Sequence, residues 1–188
     1  MSAPGAGESP AVPALRVGQG FDVHPFSDDP GRPLRLGGVE VTGPGARGLV
    51  GHSDADAVTH ALADAVLGAA GLGDLGRHAP DTDERWADAD SLVILALVVE
   101  RARAAGWVAV NGDCTVVAEQ PRLAAFVDAM AERLGTVLGA PVNVKATRAE
   151  GLGAVGRGEG IACTAVVLLA AAGGVVPSGS PGTSPGER

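Results

Sequence analysis

Cysteine is scarce in this sequence and clustered basic charge is missing, and each shortage excludes something. Cys114 and Cys163 are the only cysteines. Two cannot build a disulfide framework, and neither sits in a CxxC pair, so a reduced, cytoplasmic chain is expected. Lysine and arginine number 14 against 22 acidic residues, for a formal charge of −8. With no Lys/Arg-rich stretch, nucleic acid and anionic membrane are excluded as main partners. Residues 1–15 lack the basic start and apolar run of a signal peptide, and the arginines of a transit peptide. The run 161–176 alone suggests a membrane span, but it is short and holds Thr164 and a Gly-Gly pair, so it reads as a buried strand. No internal repeat is visible.

What is present is apolar bulk: 46% of 188 residues are hydrophobic, enough for one α/β domain with a real core. Both ends are rich in Pro, Gly, Ser and Ala. The expected domain therefore covers residues 15–172, between a disordered extension at 1–14 and a disordered tail at 173–188. Strand signals at Leu15–Gly20 and Leu34–Val41, separated by a DDPGRP turn, predict a hairpin. HSDADAVTHALADAVLGAAG predicts a helix, with Ser53 and Asp56 resembling a capping box and Gly71 as the stop. Helices over about Ser91–Ala105 and Arg122–Leu138 alternate with extended runs at Val108–Ala118, Val142–Thr147 and Ile161–Leu169. This alternation predicts an α/β fold of α+β type: a mixed sheet packed on one face by about three helices.

Several stretches carry chemistry. In GFDVHPF, Asp22 and His24 are two apart and share a strand face, with Pro25 favouring extended backbone at His24. The pair is either half of a metal site or a surface ion pair. On the following helix, Asp56, His60 and Asp64 fall on one stripe. Adding His60 to Asp22 and His24 gives three ligands with a fourth position open, the arrangement of a catalytic zinc. GLGAVG at 151–156 matches G-x-G-x-x-G, yet a β-like segment follows it where a dinucleotide site needs a helix. LGDLG and PDTD gather Asp74, Asp81 and Asp83. They read as turn chemistry or as hydroxyl recognition on a polyol. AEQPR at 118–122 lies between a strand and a helix, where backbone N–H groups and Arg122 suit a base edge or phosphate, or only a proline-led helix start.

The order of these pieces is more specific than any one of them. G-x-G-x-DVH-x-F, then GLxxHSDxDxxxHAxxDAxLGAAGLGDxG, PDTD, VNVKAT and GRGEGIAC, over about residues 16–170, resembles the 2-C-methyl-D-erythritol 2,4-cyclodiphosphate synthase family. The resemblance implies a homotrimer with active sites at subunit interfaces, acting on a CDP-linked methylerythritol phosphate in the non-mevalonate isoprenoid route and releasing CMP. It implies one zinc per subunit on Asp22, His24 and His60, and a second divalent cation, Mg²⁺ or Mn²⁺, aided by Glu150. His52 and Ser53 match residues that contact the substrate phosphates. Asp74, Leu75 and Gly76 with Pro80, Asp81, Thr82 and Asp83 match the methylerythritol part. Ala118, Glu119, Gln120, Pro121, Arg122 and Thr147 match the part that holds cytidine.

The pattern is broken in two places. Arg148 stands where the family usually carries a second threonine that helps stabilise the transition state, so Arg148 takes that catalytic place. Ala154 stands where an aromatic residue often lines a cavity at the trimer axis, near Arg157 and Glu159. Asp64, one turn after His60, is expected to support the zinc ligands from behind. Three readings follow: an active cyclase, a trimeric metal- and nucleotide-binding relative weakened by Arg148, and a zinc hydrolase acting through bound hydroxide.

Overall fold

The structure, a computed structural model, describes residues 14–173 of the chain. The disorder expected at 1–14 and 173–188 thus lies almost wholly outside the described residues. A four-stranded sheet runs in the order β1 (Leu15–Pro25), β6 (Gly160–Ala171), β4 (Trp107–Val117), β5 (Val142–Thr147). β6 is antiparallel to both β1 and β4, and β4 is parallel to β5, so the sheet is mixed as expected. α1 (Ala57–Ala70), α2 (Ser91–Ala104) and α3 (Val127–Leu138) cover one face, and a single turn, α4 (Gly153–Gly156), lies in the glycine loop before β6.

The helix-facing side of β6 is Ile161, Cys163, Ala165, Val167 and Leu169, all buried, at the period of two that a one-sided sheet demands. α1 packs directly against β1, and glycine makes this possible. A Cβ on Gly18 would stand 1.9 Å from the Ala65 carbonyl oxygen, and one on Gly20 would stand 2.0 Å from that of Ala61. Small residues on both surfaces let helix and strand backbones touch. That contact brings His60 within reach of Asp22 and His24.

The predicted hairpin between Leu15–Gly20 and Leu34–Val41 does not form. β1 pairs instead with β6, and Leu34–Val41 folds on itself as β2 (Leu34–Leu36) and β3 (Val39–Val41). Gly37 and Gly38, with φ of 57° and 72°, supply the two left-handed positions of that tight turn. The first long helix starts at Ala57, not Ser53, because Ala55 has φ 58° and breaks the helical path. Asp56 is therefore its N-cap, accepting from Val58 and Thr59 N–H, while Gly71 closes it in the left-handed conformation. The fully buried Asp56 carboxylate also accepts from Gly37 and Gly38 N–H at 2.7 and 2.6 Å, tying the small hairpin to the helix.

The third helix begins at Val127, five residues later than the spacing suggests, and no side chain caps its start at Phe126. Helical periodicity ran on through a turn whose Leu123 is buried all the same. α2 packs mainly on α1 and leaves Val93 59% exposed. The opposite sheet face is bare within the single chain. Val17, Phe21 and Val23 of β1 are more than half exposed, beside Val166 of β6. Among the described residues no helix is long and apolar enough to cross a membrane.

Candidate metal centre and neighbouring cavity

Asp22 and His24 leave the end of β1 on its helix side, and His60 meets them from the first turns of α1. Asp22 Oδ2 lies 2.9 Å from His24 Nε2 and 3.1 Å from His60 Nδ1. The two ring nitrogens are 3.4 Å apart. A tetrahedral zinc with ligand bonds of about 2.1 Å would place its ligand atoms about 3.4 Å from each other. Two nitrogens and one oxygen at that spacing form a metal-sized cluster, and the donor set suits a divalent ion.

The outward nitrogens fix which atoms face inward. His24 Nδ1 donates to the Val50 carbonyl at 2.7 Å, leaving Nε2 with a free lone pair. His60 Nε2 lies 2.8 Å from Ser91 Oγ and 3.1 Å from Ser53 Oγ, which leaves Nδ1 for a ligand. Ser91 is held in turn by the Asp54 carboxylate, to which its hydroxyl and its N–H both donate. Burial opposes ionisation of Asp22, but hydrogen bonds from His24 and His60 outweigh it and hold the carboxyl well below the usual range. Burial likewise opposes charge on His24, yet the Asp22 carboxylate raises its pKa above 6.5.

Ser91 and Asp54 were missed in the sequence. Asp90 caps α2 by accepting from Leu92 N–H, so the hydroxyl of Ser91 is free to reach His60 across 31 residues of chain. No local spacing signals such a contact. The Ser53 hydroxyl is buried against His60. Asp64, expected to support the metal ligands, instead accepts from Leu75 N–H at 3.0 Å and holds the 3₁₀ turn Leu75–Arg77. The outward Nε2 of His60 is already engaged by Ser91 and Ser53.

That 3₁₀ turn carries Leu75 and Gly76, with the exposed Asp74 as its cap. The segment Pro80–Asp83 leads into a second 3₁₀ turn, Glu84–Trp86, which Asp83 caps. His52 Nε2 donates to the Asp83 carbonyl at 3.1 Å, fastening this loop near the metal cluster. The Asp83 carboxylate itself is spent on Arg85, at 2.6 Å from Nη2. Pro80, Asp81 and Thr82 remain half-buried or exposed on the loop. Arg157 pairs with Glu159 at 2.6 Å on the turn before β6, where the Glu159 carbonyl accepts from Phe26 N–H just past the end of β1.

At the opposite edge of the sheet, Ala118–Arg122, Thr147 and Arg148 line a cavity of about 720 Å³. Leu123, Val127 and Val144 form part of its wall. The cavity and the metal cluster occupy the same end of the sheet, where β1, β4 and β5 finish and β6 begins. Three strand spacings separate them, about 14 Å at 4.7–4.9 Å each. The turn carrying Glu150 follows Arg148 and has left-handed backbone at Glu150, φ 52°.

The model of the YgbB family matches residues 15–170. A protein of Geobacillus kaustophilus named 2-C-methyl-D-erythritol 2,4-cyclodiphosphate synthase is 55% identical over 158 residues, covering 82% of this chain and 98% of the relative. Among solved structures, one of 2C-methyl-D-erythritol-2,4-cyclodiphosphate synthase in a CDP-bound form matches with TM-score 0.73 and 34% identity, covering 82% of this chain and 99% of that one. The bifunctional IspDF of Campylobacter jejuni matches with TM-score 0.79 and 40% identity over 85% of this chain, which spans 43% of that longer protein.

Proposed function

The chain belongs to the YgbB family, and from that premise we propose that it is a cyclase of the non-mevalonate isoprenoid route. It converts 4-diphosphocytidyl-2-C-methyl-D-erythritol 2-phosphate into 2-C-methyl-D-erythritol 2,4-cyclodiphosphate and CMP. One observation carries the reading: Asp22, His24 and His60 converge at tetrahedral spacing in a chain that matches the family along its whole described domain.

The substrate supplies its own nucleophile, the 2-phosphate, so the protein needs neither serine nor cysteine as an attacker. Cys163 is in any case held protonated by its contact with Cys114 and by burial. The task is to fold a flexible polyol until a phosphate oxygen lines up with the β-phosphorus and CMP leaves opposite. Such positioning removes roughly 7–11 kcal/mol of barrier in well-oriented intramolecular reactions. Zinc on the three ligands, with a Mg²⁺ or Mn²⁺ ion at Glu150, neutralises the crowded phosphates when bound. The exposed Glu150 carboxylate and substrate oxygens form a hard donor set that suits the second ion. His52 and the backbone at Ser53 hold the phosphates. Asp74–Gly76 and Pro80–Asp83 hold the methylerythritol, while Ala118–Arg122 and Thr147 receive the cytidine. Arg148 stands at the reacting diphosphate, and Arg157 with Glu159 lies toward the trimer axis.

A homotrimer fits the bare apolar sheet face, where Val17 is 69% and Phe21 is 55% exposed in the single chain. A second copy can also bring a metal cluster nearer to the cavity than the roughly 14 Å available within one chain. Two buried, reduced thiols suit the cytoplasm.

The test is turnover of the CDP-linked substrate by the zinc-loaded protein with Mg²⁺ or Mn²⁺, followed by ³¹P NMR in ¹⁸O-labelled water. Cyclic diphosphate free of solvent oxygen, with stoichiometric CMP, is expected. A linear, labelled product would mean a hydrolase, and tight binding without turnover would mean a binding protein.

A further inference from the structure

The cavity rim carries a charge pair whose second function is visible in its geometry. Arg148 Nε and Nη2 both donate to one oxygen of Glu119, at 2.9 and 2.7 Å. The other Glu119 oxygen accepts from Gly151 N–H at 3.2 Å. The Glu119 side chain is only 12% exposed and the Arg148 side chain 62%, so the carboxylate is the enclosed partner and the guanidinium lies outermost. Between Arg148 and Gly151 sits Glu150, exposed and left-handed at φ 52°, followed by Gly151 at φ 78°. Arg148 is therefore two residues from the carboxylate assigned to the second cation. Glu119 acts first on Arg148 and holds it charged, and Glu150 adds a weaker attraction. Of the two nearby carboxylates, Glu119 and not Glu150 forms the ion pair with this guanidinium.

We propose that Glu119 is a positioning residue that sequesters the Arg148 guanidinium, so that the Glu150 carboxylate stays free for a divalent cation on the substrate diphosphate. This rests on the reading of Glu150 as a cation ligand. A lone exposed carboxylate holds Mg²⁺ or Mn²⁺ only weakly, so a guanidinium free to pair with Glu150 would compete with the ion for its oxygens. The Gly151 contact has a separate effect, since it holds the turn from which Glu150 projects. Glutamine at 119 retains an oxygen for Gly151 N–H and removes only the charge that captures Arg148.

The test measures Mn²⁺ binding by electron paramagnetic resonance on zinc-loaded protein with CDP, alongside steady-state kinetics against Mn²⁺ concentration. For Glu119→Gln the expected result is about tenfold weaker Mn²⁺ binding and a matching rise in the Mn²⁺ needed for half-maximal rate. Adding Arg148→Thr to that variant restores Mn²⁺ affinity to about the original value, because the competitor is gone. A purely structural role for Glu119 would leave the double variant as weak as the single one, and that result overturns the proposal. So does a Glu119→Gln protein with unchanged Mn²⁺ affinity. Glu150→Gln separates the two levels. If it binds Mn²⁺ normally, the cation reading of Glu150 fails and takes the proposal with it. If it loses Mn²⁺ while Glu119→Gln does not, only the sequestration fails.

Discussion

The metal cluster and the cavity rim lie at the same end of one sheet and are built by opposite means. Asp22, His24 and His60 sit on a strand and a helix whose backbones touch through Gly18 and Gly20, and each imidazole has its second nitrogen fixed from behind. Little in that cluster can move without displacing the core. Glu119, Arg148 and Glu150 sit on turns, Arg148 and Glu150 exposed and Glu119 half-buried, and are arranged by one ion pair and one backbone hydrogen bond. The first region is preorganised by packing and the second by charge. A metal centre must hold its ligands to within tenths of an ångström, while a rim arranged by charge can yield.

Removing a ligand breaks the first region most severely. His60→Ala is expected to lose the metal, measured by elemental analysis, and to lower turnover by roughly 10³-fold or more, since metal stabilisation of phosphate charge supplies several kcal/mol. Metal content equal to the unaltered protein would contradict the assigned cluster. Gly20→Ala comes next. A methyl group has no room against the Ala61 carbonyl, so urea denaturation should show a loss of about 3 kcal/mol from overpacking. Metal affinity should fall in parallel, because α1 carries His60. An equivalent added methyl at the half-buried Gly158, by contrast, meets nothing within 4 Å, so its only cost is the left-handed backbone at φ 73°.

Acid provides a third test. The His24 pKa is raised in the metal-free protein by Asp22, so its protonated form stabilises that state at low pH and the stabilisation is lost as pH rises through the raised value. Metal needs the neutral ring. Affinity should therefore begin to fall above pH 6.5 as pH is lowered and then drop about tenfold per unit. Asp22, held well below the usual carboxylate range, stays ionised throughout. Titration calorimetry that finds flat affinity between pH 8 and about 6 would refute this linkage.

Ser91→Ala should weaken metal binding by about tenfold while leaving all three ligands in place, the usual effect of removing a group that orients a ligand imidazole. Equal affinity would show that Ser53 alone orients His60. Asp83→Asn should do least. Its ion pair with Arg85 is solvent-exposed, so the thermal midpoint should not change, and the His52 contact survives because it uses the Asp83 carbonyl.

Much of the metal cluster was legible because its signals are local. Asp-x-His is a statement about period two, and the stripe through His60 is one about helical spacing. Helix ends were legible where a side chain or glycine marks them, as at Asp90, Gly71 and Gly139. They were not legible at Phe126, which carries no capping side chain. The failed hairpin has a similar cause: both strand segments were recognised, but each has several β-like partners in the chain, and sequence proximity favoured the wrong one. The support behind His60 was invisible for another reason. Serine at the first turn of a helix looks the same whether its hydroxyl meets water or an imidazole.

By itself, the sequence determined which side chains could chelate an ion, which surfaces of each element are apolar, and to which family their order belongs. These properties depend on residue type and on spacing along a few turns of backbone. Tertiary structure alone decided that β1 pairs with β6, that Asp64 serves a turn and Ser91 a ligand, and that Arg148 chooses Glu119 over Glu150. Each of those is a competition among partners far apart in the chain, and its outcome depends on distances and burial that exist only once the sheet has closed.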